Sequence, residues 1–165
     1  MLIMKNRLFP LLGMLVFFLF LSCDSRAEKK KLTQLMAVTK VVDGDTFWVD
    51  DGSEKGRKVR LIGVDTPETV HPQKGPEPYG REASDYTKSL LEGKRVRLEF
   101  DLDSLDRYGR LLAYVYLENG LFVNAELVRK GYAQVATFPP NVKYAEHFLK
   151  LQRKARNRGL GLWEE

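Results

Sequence analysis

Residues 58–69 have the sequence KVRLIGVDTPET, which joins a strand to a turn. Its first seven residues have the composition of a strand, and Asp65-Thr66-Pro67 ends that strand because these residue types favour turns. Strand alternation puts Arg60 on the face that Ile62 and Val64 share. An arginine among apolar side chains needs an anionic partner. The sequence leaves two explanations open, a bound anionic ligand and a structural ion pair.

Two acids, Asp65 and Glu68, lie three residues apart where this strand ends. Side chains at a strand end converge on a cleft, so these carboxylates are candidates for proton transfer or metal binding. The alternative is a plain turn or helix start, which Asp, Thr and Pro also favour.

The segment VDGDTF, residues 42–47, also has a structural and a functional explanation. Asp43-Gly44 between two apolar runs predicts a hairpin turn. That turn does not require the second acid, Asp45, which is therefore a further candidate. The segment DRYGR, residues 106–110, is a turn into a strand, and its two arginines would ordinarily lie on a solvated surface.

The pattern of apolar residues predicts five short strands, three helices and one long loop. Five short strands with interleaved helices are typical of a small closed β-barrel of the OB type. The order is β-β-β-α-β-β-α-α. The strands fall at residues 35–42, 46–49, 58–64, 95–100 and 111–117; the helices run from residue 83 to Gly93, from 123 to Gly131 and from 144 to Gly159; the loop covers 69–80.

Composition narrows the class of protein. The 165 residues are 44% hydrophobic and 30% charged, which is one domain's length and excludes wholesale disorder. One cysteine excludes a disulfide framework and a cysteine-based zinc site, and two distant histidines argue against a histidine-rich metal cluster. A carboxylate site for a hard cation stays open. The net charge of +5 weakly favours a polyanionic partner.

Residues 1–22 have the pattern of an export signal. Lys5 and Arg7 precede a 14-residue uncharged run, which is shorter than the roughly 20 residues that span a membrane. The run ends at Ser22-Cys23, which resembles a bacterial lipoprotein signal, with Cys23 as the lipidated residue. The alternative is an uncleaved N-terminal anchor. Cleavage would lower the net charge from +5 to +3, because both basic residues leave.

We therefore expect three segments: a lipoprotein-like signal peptide at 1–22, a flexible tether at 23–36 and a folded domain at 37–163. The protein is expected to be exported and held at a membrane of the bacterial cell envelope by lipid on Cys23, or alternatively secreted.

Taken together and in this order, the motifs resemble the staphylococcal nuclease (thermonuclease) family. The resemblance covers about residues 37–163. The residues that carry it are Asp43-Gly44-Asp45-Thr46, residues 60–69, Tyr79-Gly80-Arg81-Glu82-Ala83, residues 106–110, residues 127–131 and Gly161-Leu162-Trp163.

The resemblance implies an OB-fold barrel of five strands with three helices. It also implies a calcium-dependent endonuclease that cleaves DNA and RNA and leaves 3′-phosphate ends. By position, the implied calcium ligands are Asp45, Asp65 and the carbonyl of Thr66, the phosphate-binding arginines are Arg60 and Arg110, and the general base is Glu68. The nucleotide-contact positions are Lys74, Arg107 and Tyr108, and Phe138 stands where the family often has base-stacking tyrosines.

Two rival functions remain at this point. One is a non-catalytic OB-fold module that binds nucleic acid or a protein, and the other is a structural lipoprotein of the envelope. The resemblance assigns five polar side chains to catalysis or to metal binding. The chain has all five, which favours the enzyme. We expect a monomer with DNA and RNA as substrates and calcium as cofactor.

Overall fold

The computed structural model describes residues 32–69 and 77–164. Its strands are β1 (Met36–Val41), β2 (Thr46–Val49), β3 (Arg57–Leu61), β4 (Gly63–Asp65), β5 (Arg95–Glu99), β6 (Leu111–Leu117) and β7 (Gln134–Ala136). The helices are α1 (Gly80–Leu91), α2 (Val123–Lys130) and α3 (Ala145–Asn157), followed by a 3₁₀ turn at Gly161–Trp163. The signal peptide with Cys23, most of the tether, and Lys74 lie outside the described residues.

Five of the strands close into a barrel in the order β1-β2-β3-β6-β5. β3 and β6 are parallel, and the other neighbours are antiparallel. The predicted five-stranded barrel with three helices is therefore confirmed. The predicted element order merged β4 with β3 and lacked β7; β4 and β7 form a separate two-stranded sheet.

Alternation along the strands separates the barrel's core from its outer face. Phe47 and Val49 of β2 are fully buried inside, and so are Val59 and Leu61 of β3. The intervening residues point outward, as the two-residue period of a strand requires. Because Thr46 pairs with Arg60 across these strands, Arg60 lies on the outer face.

The strand predicted at 58–64 is interrupted, which corrects the expected placement of Arg60. β3 ends at Leu61, and Gly63 has a φ of 76°, which favours glycine. A Cβ on Gly63 would lie 2.8 Å from the Phe148 ring, so α3 also packs closely there. Alternation therefore stops before Val64, and Arg60 does not share a continuous strand face with it.

The helices cover the rest of the core. α1 begins at Gly80, earlier than predicted, and buries Ala83, Thr87 and Leu91. α2 ends as predicted at Gly131, where the chain turns into the left-handed conformation. Phe148 of α3 is buried among aromatic rings of β6 and α2's N-terminal flank. Over residues 32–69 and 77–164, no helix has the length and apolar character to cross a membrane.

Candidate active site

A cleft of about 470 Å³ opens on the outer side of the barrel, beside the end of β3. Its floor includes Arg60 and Arg110, and its walls come from the segments 103–110 and 136–141. Asn141 joins these walls: its amide donates to the carbonyl of Asp103 at 2.8 Å and accepts from the Asp103 N–H at 2.9 Å. The cleft thus has fixed sides and a basic floor.

Arg60 binds two carboxylates from different parts of the chain. Its Nη2 donates to Oδ1 of Asp65 at 2.8 Å, and its Nη1 forms an ion pair with Oδ2 of Asp45 without the alignment of a hydrogen bond. Burial lowers the pKa of Arg60, and Asp65 opposes that shift. An arginine stays charged under such shifts. One guanidinium therefore draws together the acid before β2 and the acid at the end of β4.

Asp45 is held by two further groups. Thr46 Oγ1 donates to its Oδ1 at 3.0 Å, and the Thr66 N–H donates to its Oδ2 at 3.2 Å. The structure thus brings together Asp45, Asp65, Thr66 and Arg60, four of the residues selected from the sequence.

Gly44 permits this close approach of the two chain segments. A Cβ there would lie 2.6–2.8 Å from side-chain atoms of Thr66, closer than real side chains come. The Gly44 carbonyl accepts a buried hydrogen bond from Thr87 Oγ1 of α1 at 2.8 Å. A contact between the acid-bearing turn and α1 therefore supports the cluster, and nothing in the sequence pattern indicated it.

Asp43 is a further acid at the site, and the turn explanation of Asp43-Gly44 did not assign it a role. Its Oδ1 accepts the Asp45 N–H at 3.2 Å. Burial raises the pKa of Asp43, while the charges of Arg60 and Arg110 act in the opposite direction. Within the described part of the chain, no three His, Cys, Asp or Glu side chains group in a way that could hold a metal ion.

Arg110 is oriented by Asp106, a residue that sequence reasoning did not select. Its Nε donates to Oδ2 of Asp106 at 2.6 Å, while Oδ1 accepts the main-chain N–H groups of Arg110 and Tyr108 at 2.9 and 2.8 Å. Burial raises the pKa of Asp106, but the hydrogen bonds outweigh burial and lower it overall. The only signal in the sequence was its place at the head of DRYGR.

Glu68 lies three residues after Asp65, and its side chain is exposed. Its main chain is fixed across the ends of the predicted loop: the Glu68 N–H donates to Glu77 Oε2 at 3.2 Å, and the Glu77 N–H donates to the Glu68 carbonyl at 2.9 Å. No hydrogen bond from another described residue reaches the Glu68 carboxylate. The structure places Glu68 next to the cluster without joining it.

Tyr108 stands on the rim of the cleft, and 68% of it is exposed. Two guanidinium carbons lie over its ring, that of Arg107 at 4.7 Å and that of Arg110 at 5.6 Å from the centroid. On the opposite wall Phe138 is 74% exposed, and the following Pro139–Pro140 bond is cis. The rim therefore offers flat rings beside cations, a surface suited to nucleotides.

Comparison with known proteins supports this description. The family model "Staphylococcal nuclease homologue" matches residues 58–165. The chain is 47% identical over 128 residues to the thermonuclease of Staphylococcus intermedius, covering 77% of this chain and 74% of that protein. It is 40% identical over 140 residues to endonuclease YncB of Bacillus subtilis, covering 84% of this chain and 65% of that protein. With a family model over most of its length and relatives at this identity, the chain belongs to the family of staphylococcal nuclease homologues.

Proposed function

We propose that this nuclease is a calcium-dependent, sugar-nonspecific endonuclease that hydrolyses DNA and RNA and leaves 3′-phosphate ends. Its nuclease activity, and so its place among the hydrolases, rests on its thermonuclease and endonuclease relatives. The observation that carries the finer proposal is the convergence of Asp45, Asp65, Arg60 and Arg110 on one side of the barrel.

The donor chemistry at this position suits calcium. Asp45 and Asp65 offer carboxylate oxygens, and Thr66 offers its main-chain carbonyl, an all-oxygen set that a hard cation prefers. Both carboxylates contact the same guanidinium, so they already lie near each other. With only two side-chain ligands, positions remain for water and for a phosphate oxygen. When bound, calcium would act as a Lewis acid that offsets the charge on the phosphate oxygens.

Arg60 and Arg110 are assigned to the phosphate. Arg110 donates a hydrogen bond from Nε to Asp106. Its two terminal nitrogens donate to no described residue. These nitrogens can donate in parallel to two phosphate oxygens, as the planar guanidinium allows. Donors that are already oriented stabilise the charge that builds up during the reaction.

Glu68 is assigned as the proton acceptor. Its carboxylate is exposed, while its main chain is tied to Glu77, so the group is positioned and still open to water. In the reaction the water oxygen forms a bond to phosphorus as its proton passes to Glu68. The bond from phosphorus to the 5′ oxygen breaks, and that oxygen leaves as a hydroxyl after taking a proton from solvent water, while Glu68 returns its proton to solvent. The phosphate then remains on the 3′ side.

Export and anchoring are part of the proposal, although most of the residues they concern lie outside the described ranges. The signal-like segment 1–22 and Cys23 support a lipoprotein held at a membrane of the cell envelope, with tether 23–36 linking lipid to domain. We propose that the enzyme acts there as a monomer.

Product analysis tests this function and separates it from a non-catalytic binding module. An oligonucleotide labelled at its 5′ end is digested with calcium, and half of the product is treated with a phosphatase before electrophoresis. A 3′-phosphate predicts that every labelled fragment changes mobility after phosphatase treatment. Unchanged mobility would overturn the assigned bond cleavage, and an intact oligonucleotide that nevertheless stays bound would favour the binding module.

A further inference from the structure

A second groove continues from the cleft across the outer face of β2 and β3. It has a volume of about 560 Å³ and shares Leu105, Tyr108 and Arg110 with the cleft. Its other lining residues are Trp48, Gly109 and the segment 55–58. One continuous surface therefore leads from the phosphate arginines to the tip of the β2–β3 hairpin.

Strand pairing aligns the groups on this surface. Trp48 pairs with Lys58, and Thr46 pairs with Arg60, so all four side chains share the outer face. Lys58 and Arg60 are two residues apart on one strand, or about 6.6 Å along it. The Lys58 Nζ lies 5.1 Å from the centroid of the Trp48 ring. An aromatic plane and a row of cations thus follow directly from the register of the hairpin.

Three of the four cations that line this groove form no ion pair with a described residue, and the fourth, Arg110, is paired with Asp106. Lys55, Arg57 and Lys58 form no ion pair within 4.0 Å there, and no acid lines the groove. The acids of the nearby turn bond to that turn's own amides: Asp50 accepts from Gly52, and Asp51 accepts from Ser53. Arg57 still acts electrostatically on Asp51, so Lys55 and Lys58 are the cations of this groove that lack an ion-pair partner in the described part of the chain, and they share it with a partly exposed indole.

We infer that this groove is a second nucleic-acid subsite, which holds the substrate strand beyond the nucleotide at the cleft. Trp48 stacks on a base, and Lys55 and Lys58 contact phosphates. Single-stranded nucleic acid is the occupant that combines a polyanionic backbone with exposed flat bases, and aromatic rings flanked by cations bind it in this way. The inference deepens the proposed function, on which it rests for the identity of the polymer.

Tryptophan fluorescence tests the subsite without cleavage. The chain has two tryptophans, so Trp163→Phe leaves Trp48 as the single reporter. With a chelator present, thymidine oligonucleotides of increasing length are added. We expect quenching of Trp48 by long oligonucleotides and little quenching by a dinucleotide, which is too short to fill the cleft and the groove together. If Trp163→Phe does not fold, the difference between the wild type and Trp48→Leu gives the same signal.

Salt dependence gives a second, independent readout. Each phosphate contact to a single strand contributes about 0.7 to the slope of log affinity against log salt. In the variant Lys55→Ser/Lys58→Ser, the magnitude of that slope should decrease by up to about 1.4, because two phosphate contacts are lost. Its matched control is Lys150→Ser/Lys154→Ser, which removes equal charge from exposed positions on α3, a helix that lines neither groove.

The subsite is wrong if a long oligonucleotide binds without quenching Trp48, or if the α3 control lowers the slope as much as the groove variant. A protein that quenches and binds but does not cut would overturn the proposed function and leave the subsite standing. A protein that cuts DNA without quenching would overturn the subsite alone.

Discussion

At the scale of single residues, Arg60 and Arg110 differ in their surroundings although both face one cleft. Arg60 is bonded to Asp45 and Asp65, whereas Arg110 is bonded to Asp106 alone. The sequence left a structural ion pair open for Arg60, and that ion pair is present. The same guanidinium can still serve the phosphate, since an arginine has five N–H donors.

Replacing either arginine by lysine separates catalysis from stability. Lysine keeps the charge but loses the planar pair of donors. For Arg110→Lys we expect kcat to fall on the order of a hundred- to a thousandfold, with a small change in the free energy of unfolding. For Arg60→Lys we expect a similar loss of kcat and a larger loss of stability, because two acids lose their partner. Measuring kcat and urea unfolding on the same samples checks the expectations for both variants.

A variant with near-wild-type kcat and clearly lower stability would assign that arginine a structural role only. Arg95→Lys is the matched control, because Arg95 forms an exposed ion pair with Glu118 outside the cleft. Such surface pairs contribute little, so neither quantity should change much.

Asp106 should contribute a pH-dependent part of the stability. Its pKa in the folded state lies below its ordinary value of 3.8, so this contribution is present above that value. It is lost as the pH falls through the lowered pKa. Asp106→Asn should therefore reduce stability at neutral pH, and the difference from the wild type should vanish in strong acid. Urea unfolding from pH 2 to 7 measures this, and a difference that persists unchanged in strong acid would contradict the assignment.

Among the strands, the sequence predicted the bounds of those that depend only on their own residues and the adjoining turns. β2 and β6 have the predicted bounds because their apolar residues alternate or run continuously between clear turns. β7 was missed, since three residues are too few to show a period. The break at Gly63 depends on Phe148 of α3, a tertiary contact that no local window contains.

The residues of the site also divide into those that could be identified from the sequence and those that could not. Its principal charged residues could be identified from the sequence, because each of them stands at a position that matches a motif of the family. Their supports, Asp106 and the contact from Thr87 to Gly44, could not, since each acts through folded geometry.

α1 should stabilise the acid-bearing turn through Thr87. Thr87→Val keeps the shape but leaves the buried Gly44 carbonyl without its donor, which typically costs about 1–3 kcal/mol of unfolding free energy. Ser89→Ala on the same helix is the control, because that hydroxyl bonds an exposed carbonyl. Urea unfolding compares them, and an equal loss in both variants would show that the Gly44 contact has no special weight.

At the scale of the whole molecule, the folded domain and the N-terminal segment have separate tasks. The domain carries the chemistry, and segment 1–31 is proposed to decide where that chemistry takes place. Cys23→Ser should release the nuclease from membranes or leave its precursor uncleaved, because the thiol that would carry lipid is lost. One acyl chain anchors only marginally, so stable attachment would need more than one.

Mass determination of the mature N-terminus, combined with fractionation, checks this. A wild-type N-terminus downstream of residue 23 would mean that the protein is secreted without lipid.

We propose that Asp45 and Asp65 hold a calcium ion on which phosphodiester hydrolysis depends. The most direct measurement is a calcium titration of binding, by calorimetry, and of DNA hydrolysis on the same preparations of wild type, Asp45→Ala and Asp85→Ala. Asp85 is an exposed acid of α1 and serves as the matched control. Magnesium, which demands stricter octahedral geometry, should bind without supporting the full rate. We expect hydrolysis to vanish with chelator, and calcium affinity and rate to fall together in Asp45→Ala only. Equal rates in calcium and in chelator would contradict it.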